Sequence, residues 1–232
     1  YLPALSASSP IYEGRFGENV DNRLRFYKEN QVEVPSVTGD VIPEYTSSFG
    51  DYREQIIDKY SKELAARGAG RLLLGKDWVN SRGAIFRFDR KALEIRIMDE
   101  QECIKSDVAL SCFIRALLRG LMNDESGFAA HEILTADLNA TVSKGLEAQT
   151  KNPLGPTARK LLASYMQTAA KNANEEEKKY LPVVQRRLTK GNLSETIRKK
   201  VESRSQKTEL KEAILNTYLD LAESLIHNTP YF

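Results

Sequence analysis

The chain has 232 residues, of which 41% are apolar and 28% are charged, and its formal net charge is +2. This composition supports one domain, or one domain with a helical appendage, around a sizeable core. The near-neutral charge argues against a dedicated nucleic-acid binder, and no apolar run approaches the roughly 20 residues of a membrane-spanning helix. No signal peptide is visible, so we expect a cytoplasmic protein that binds neither nucleic acid nor membrane.

Cysteine and histidine are too few to suggest a site. Cys103 and Cys112 are separated by nine residues, which fits no zinc pattern, and we expect two buried free thiols. His131 and His227 fall in separate helical stretches with no catalytic motif around them. The sequence therefore predicts neither a disulfide framework nor histidine-based chemistry.

The first half of the chain reads as a mixture of strands, loops and one long helix. Residues 23–27 alternate well enough for a strand, residues 31–48 read as a long loop, and residues 51–67 form an amphipathic helical pattern. The strands predicted after this helix cover residues 71–74, 84–88 and 92–98. Their connections are too short for crossover helices, so we expect antiparallel pairing.

The second half reads as helices alone from about residue 126. Ser106 is predicted to cap a buried helix just before this region, and Ser194 to cap a later one. Pro156 suits a first helical position, and the last helix is predicted at residues 208–227. The pattern indicates an α+β fold, an antiparallel sheet flanked by helices, with a helical C-terminal layer.

A glycine-rich stretch has the spacing of a phosphate-binding loop but does not fit one. Residues 70–76 read Gly-Arg-Leu-Leu-Leu-Gly-Lys, and Asp77 stands where Ser or Thr should bind magnesium. The three leucines favour a strand over an open loop of backbone N–H groups. We therefore reject the nucleotide-loop interpretation.

The last predicted strand carries the most suggestive chemistry. Glu94 and Arg96 lie on one face of it, about 7 Å apart at the usual strand rise. The carboxylate could hold a divalent cation, and the guanidinium could pair with phosphate oxygens. The alternative is an ion pair on a solvent-facing sheet, which alternation alone favours because such pairs are common.

Two segments resemble the plant-type and bacterial glutamate–cysteine ligase family. Residues 4–14 read Ala-Leu-Ser-Ala-Ser-Ser-Pro-Ile-Tyr-Glu-Gly and residues 20–23 read Val-Asp-Asn-Arg, which is similar to a Leu-x-x-Ser-Pro segment followed by an arginine in that family. Residues 92–99 read Ala-Leu-Glu-Ile-Arg-Ile-Met-Asp and resemble its Glu-hydrophobic-Arg strand. The order and rough spacing agree, and the resemblance covers about residues 1–125.

The resemblance implies a glutamine-synthetase-like catalytic domain, incomplete in this chain. Residues 1–125 would be the C-terminal half of that domain, and residues 126–232 a helical region packed on it. The implied chemistry is ATP-dependent: the γ-carboxylate of glutamate is phosphorylated, and an amine such as that of cysteine attacks the acyl phosphate. Mg²⁺ would neutralise the phosphates, and the reaction would belong to glutathione biosynthesis.

The resemblance also implies roles for individual residues. Glu94 corresponds to a metal ligand, and Arg96 to the catalytic arginine that contacts the transferring phosphoryl group. Arg23 and Arg87 correspond to arginines that bind substrate or nucleotide. Asp99 ends the strand and would orient its neighbours.

The chain departs from the family in one large respect. The early strands that carry further acidic metal ligands have no counterpart in it, and its first residue is Tyr1. We therefore expect a missing N-terminal half of the same protein, or a partner chain, and expect the 232 residues alone to be inactive. Homo-oligomerisation is left open. The alternative is a non-catalytic module that binds an anion or a partner through the same arginines.

Overall fold

The computed structural model describes residues 1–30, 32–122 and 129–232. These residues divide into two compact units. The discontinuous unit comprises residues 1–23 and 98–232, and the continuous unit comprises residues 24–97. The domain boundary predicted between residues 125 and 126 falls within residues 123–128, outside the described residues.

Helices dominate both units, and the strands are short. The strands are β1 Ile11–Tyr12, β2 Arg15–Phe16, β3 Ala84–Arg87 and β4 Ala92–Ile95. The helices are α1 Leu2–Ser6, α2 Asn22–Glu29, α3 Pro35–Thr38, α4 Phe49–Tyr52, α5 Lys59–Ala66, α6 Ile104–Leu121, α7 His131–Lys144, α8 Ala158–Asn172, α9 Glu175–Lys178, α10 Leu181–Lys190, α11 Leu193–Ser205 and α12 Leu210–Ile226. The α+β prediction and the helical region after residue 129 are confirmed.

The discontinuous unit is built around α6, which packs against α8 and α10. A second cluster joins α11 to α12 through Leu193, Ile197 and Ala213. Its small sheet is the antiparallel hairpin β1–β2, which turns at Glu13 and Gly14. Both turn residues have positive φ, 50° and 73°, as a tight two-residue turn requires.

The continuous unit packs the hairpin β3–β4 with a helical segment. The helix predicted over residues 51–67 is confirmed as α4, a π-helical stretch Arg53–Asp58, and α5. Its core is a cluster of side chains that are at most 3% exposed. The members are Val37, Tyr52, Ile56, Ile57 and Tyr60.

Two of the predicted strands are absent, and the other two are shorter, since β3 ends at Arg87 rather than at residue 88. Residues 23–27 lie in α2, because a five-residue alternating run also fits a helix face and Leu24 is fully buried there. Residues 71–74 form turns between Gly70 and Gly75, and Leu72 is 83% exposed. The strand predicted over residues 92–98 ends at Ile95. The antiparallel pairing of β3 and β4 is confirmed.

The predicted starts of three helices are wrong by two or three residues. Ser106 lies inside α6 and donates a 2.8 Å hydrogen bond to Glu102, while the N-cap is Cys103. Pro156 is not the first helical residue, because α8 begins at Ala158; its N-cap is Thr157, whose hydroxyl accepts from the backbone N–H of Lys160.

The helix assigned to a Ser194 cap has Asn192 at its N-cap instead. Asn192 and Glu195 exchange the two hydrogen bonds of a capping box, and Ser194 donates to the carbonyl of Val20. The last helix, α12, agrees with its predicted range. No helix in the described part of the chain combines the length and apolar character that crossing a membrane requires.

Candidate functional site

Glu94 and Arg87 meet on one face of the β3–β4 hairpin. In the antiparallel register Ile85 pairs with Glu94 and Arg87 pairs with Ala92, so Arg87 lies diagonally across from Glu94. Arg87 Nη1 donates a 2.6 Å hydrogen bond to Glu94 Oε2. The short charged contact follows directly from strand alternation and register.

Arg96 holds the other oxygen of the same carboxylate. Its Nε donates to Glu94 Oε1 at 2.8 Å. Its Nη1 and Nη2 donate to the backbone carbonyls of Asn80 and Trp78, at 2.6 and 3.2 Å. These carbonyls belong to the short 3₁₀ turn Asp77–Val79 and the residue after it. Arg96 is therefore fixed by a carboxylate and by a backbone turn that precedes the hairpin.

The electrostatics of the cluster favour its charged form. Arg87 is 9% exposed at its side chain, and its guanidinium lies 3.5 Å from both Asp77 Oδ2 and Asp89 Oδ2. The hydrogen bond to Glu94 raises the pKa of Arg87 against the opposing effect of burial. Burial pushes the pKa of Glu94 upward, but the hydrogen bonds from Arg87 and Arg96 outweigh it and leave that pKa below 4.5.

The carboxylates of this cluster do not by themselves form a magnesium site. Both oxygens of Glu94 accept hydrogen bonds from arginine. Among the residues that the structure describes, no group of three or more His, Cys, Asp or Glu side chains could hold a metal ion. Oxygen-rich coordination would need acidic ligands beyond those that the described residues bring together.

Arg23 and Asp99 belong to the discontinuous unit and form a second polar cluster there. Arg23 Nε donates to Asp99 Oδ1 in a close ion pair, in which the Asp99 side chain is 2% exposed and that of Arg23 is 36% exposed. The other oxygen, Oδ2, accepts from the backbone N–H of Ser8 at 2.8 Å and the hydroxyl of Ser9 at 3.0 Å. The structure thus joins Arg23 to Asp99, and Glu94 to Arg87 and Arg96.

Sequence reasoning missed several members of these clusters. In the sequence Asp77 stands out only as the residue that breaks the phosphate-loop pattern, yet its carboxylate lies 3.5 Å from Arg87 Nε. The carbonyls of Trp78 and Asn80 leave no trace in a sequence, because any residue type supplies a carbonyl. Ser8 and Ser9 were within a recognised motif, but the motif does not show which side chain they contact.

The sequence predicted no functional role for residues 70–76, His227, Cys103 and Cys112, and they lie outside these clusters. Residues 70–76 contain no strand-to-helix loop, and the backbone N–H of Gly75 is bound by the Ser61 hydroxyl at 2.9 Å. His227 is an exposed residue 3.3 Å from Glu223. Cys103 and Cys112 are buried free thiols, as predicted.

Comparison with known proteins adds a family and one relative. The sequence profile of the family described as glutamate-cysteine ligase family 2 matches residues 1–216. A protein of Archaeoglobus fulgidus, described only as an uncharacterized protein, is 41% identical over 231 residues. That alignment covers 100% of this chain and 57% of the relative, so the chain spans little more than half of the relative's length.

Proposed function

Because the chain belongs to glutamate-cysteine ligase family 2, we propose that it contributes part of the active site of an ATP-dependent carboxylate–amine ligase. The reaction would form a γ-glutamyl amide through an acyl phosphate, with glutamate as the acid and an amine such as that of cysteine as the acceptor. The observation that carries this proposal is the Arg87–Glu94–Arg96 cluster, which lies inside the matched region.

Two guanidinium groups held by the Glu94 carboxylate suit a reaction in which phosphoryl charge moves. Fixed cations lose little freedom when an anion arrives, and they stabilise the charge that develops during transfer. Arg96 would contact the transferring phosphoryl group. Arg87, and Arg23 in the discontinuous unit, would bind substrate or nucleotide.

The magnesium ions that accompany ATP would neutralise phosphate charge. Glu94 is the ligand that this chain would contribute, and the further acidic ligands would come from a missing N-terminal half or from a partner chain. Because the metal ligands would be divided between this chain and another segment or chain, we expect no turnover by the 232 residues alone and turnover by the complete gene product or complex.

The test is ADP release with ATP, magnesium and glutamate across a panel of amines that includes cysteine. Release that requires both glutamate and one amine would identify the reaction and its acceptor. Glu94→Gln and Arg96→Ala are each expected to lower turnover by about 10²-fold or more, the usual effect of removing a group that stabilises transition-state charge. Unchanged turnover in both variants would reject this cluster as the site.

Arg90→Ala is the matched control for Arg96→Ala. Arg90 lies in the connection between β3 and β4, is 67% exposed and is 3.7 Å from the exposed Asp89. An exposed pair of this kind contributes little to stability, and the side chain makes no contact with Glu94 in the structure. Turnover of Arg90→Ala should therefore match that of the unaltered protein.

A non-catalytic anion-binding module is the second candidate. It is favoured because Arg87 and Arg96 already donate hydrogen bonds to both Glu94 oxygens. It is also favoured because the described residues contain no group of three acidic, histidine or cysteine side chains that could hold a metal ion. Such a module would bind ATP or ADP without releasing product under any combination of glutamate and amine. Calorimetric titration of the complete protein with ADP, beside the turnover assay, separates the two functions.

A further inference from the structure

The carboxylate of Asp99 accepts hydrogen bonds from two segments that are far from it in the sequence. Ser8 donates to Oδ2 through its backbone N–H at 2.8 Å and through its hydroxyl at 3.2 Å, and Ser9 donates through its hydroxyl at 3.0 Å. Arg23 occupies Oδ1 through its Nε. Asp99 itself is 3% exposed, so four donors surround a buried negative charge.

Arg23 is held at both its backbone and its side chain by this cluster. Its backbone N–H donates to the Ser9 hydroxyl at 3.1 Å, at the start of α2. Its guanidinium is anchored through Nε to a carboxylate that is itself fixed by Ser8 and Ser9. Because a long arginine side chain loses rotamer freedom on binding an anion, anchoring it beforehand removes part of that cost.

We infer that Asp99 is a positioning residue that acts through Arg23. It is buried and would not touch substrate; it fixes the direction of a guanidinium whose side chain is 36% exposed. This role rests on the proposed function, in which Arg23 binds the substrate or the nucleotide. The inference extends that function by explaining why an acidic residue follows the Glu94-x-Arg96 strand and why the Ser8-Ser9 pair precedes Arg23.

The variants follow from the hydrogen-bond chemistry of the cluster. Asp99→Asn keeps one acceptor oxygen for Ser8 and Ser9 but turns an N–H₂ group, a donor, toward the Arg23 Nε–H. Arg23→Lys keeps the positive charge but has no Nε–H to bind Asp99. Because Arg23 is partly exposed, this substitution should disturb folding less than a change at the buried Asp99. Arg23→Ala removes both features.

The experiment is a double-mutant cycle on kcat/KM in the complete protein, with circular dichroism and thermal melting as folding controls. A misplaced binding group costs about 10²-fold, so Asp99→Asn, Arg23→Ala and Arg23→Lys are each expected to lose about that much. The combined Asp99→Asn, Arg23→Ala protein should lose no more than Arg23→Ala alone, because Asp99 acts only through Arg23. A merely structural aspartate would give losses that multiply, about 10⁴-fold together.

Glu13 and Arg15 supply the control cycle. They are an ion pair in the same unit, 3.2 Å apart, with side chains 75% and 65% exposed, and Glu13→Gln and Arg15→Ala should leave kcat/KM unchanged. Multiplying losses, or full activity in Arg23→Lys, would overturn the positioning role while leaving the ligase proposal standing. An unaltered protein that releases no ADP with any amine would instead reject the proposed function, and the inference with it.

Discussion

Replacing Glu102 by Gln should destabilise the discontinuous unit strongly. Glu102 and Arg187 form an ion pair with a 2.7 Å contact, and their side chains are 0% and 2% exposed. Glu102 Oε1 also accepts from the backbone N–H of Tyr231 at 2.9 Å and from the Ser106 hydroxyl at 2.8 Å. The carboxylate therefore connects the start of α6 to α10 and to the segment after α12.

The expected loss can be worked out from these contacts. Glutamine keeps one acceptor oxygen for Tyr231 or Ser106, but its N–H₂ group faces the donors of Arg187. The guanidinium stays charged and buried, with the carbonyl of Tyr231 at 2.7 Å as its remaining hydrogen-bond partner. Breaking a buried pair in this way costs about 3–5 kcal/mol, and the retained bond to Tyr231 places Glu102→Gln near the lower end.

Urea unfolding followed by far-ultraviolet circular dichroism measures this loss. The midpoint should fall while the slope of unfolding free energy against urea stays constant, since the buried surface is unchanged. Replacing both partners, Glu102→Leu with Arg187→Met, should recover part of the stability that Glu102→Gln loses, because no unpaired charge is left. The recovery is incomplete because the backbone of Tyr231 and the hydroxyl of Ser106 still lose their partners. The exposed Glu176 pairs with Lys179, so Glu176→Gln should cost less than about 1 kcal/mol. A similarly small loss in Glu102→Gln would refute the reasoning.

The remaining predictions concern acid stability and the second core. The hydrogen bond from Arg119 holds the pKa of the buried Glu177 below 4.5, so its stabilising effect is present above that pH and is lost as pH falls through the lower folded pKa. Glu177→Gln should therefore flatten the fall in stability below about pH 4.5, and a curve parallel to that of Glu176→Gln would contradict this. Ile56→Ala should destabilise the continuous unit by about 2–5 kcal/mol, monitored by the fluorescence of Trp78; a shift below about 1 kcal/mol would contradict full burial of Ile56.

The local sequence pattern predicted the secondary structure correctly where a single strand alternation or a single helical period dominates. Alternation along residues 92–96 predicted that Glu94 and Arg96 would lie side by side, and their side chains are in contact although the strand ends at Ile95. The short connections correctly predicted antiparallel pairing with β3. The long helical periods of the C-terminal region were likewise readable. The prediction failed for a short run, because the pattern of residues 23–27 fits a strand and a helix equally well. These residues form a helix in which Leu24 is fully buried.

Caps and ion-pair partners needed the tertiary structure. Asn192, rather than Ser194, caps α11 because the Ser194 hydroxyl is drawn to the carbonyl of Val20, far away in sequence. Glu102 and Arg187 are 85 residues apart, and nothing near either one indicates the other.

The sequence by itself determined the family resemblance, the α+β class and the chemical types of the candidate residues. Only the tertiary structure decided which groups meet: Glu94 with two arginines, and Asp99 with Ser8, Ser9 and Arg23. The physical reason is that a side chain's chemistry and its strand face are local properties. The partner of a buried charge is set by chain segments that only folding brings within hydrogen-bonding distance.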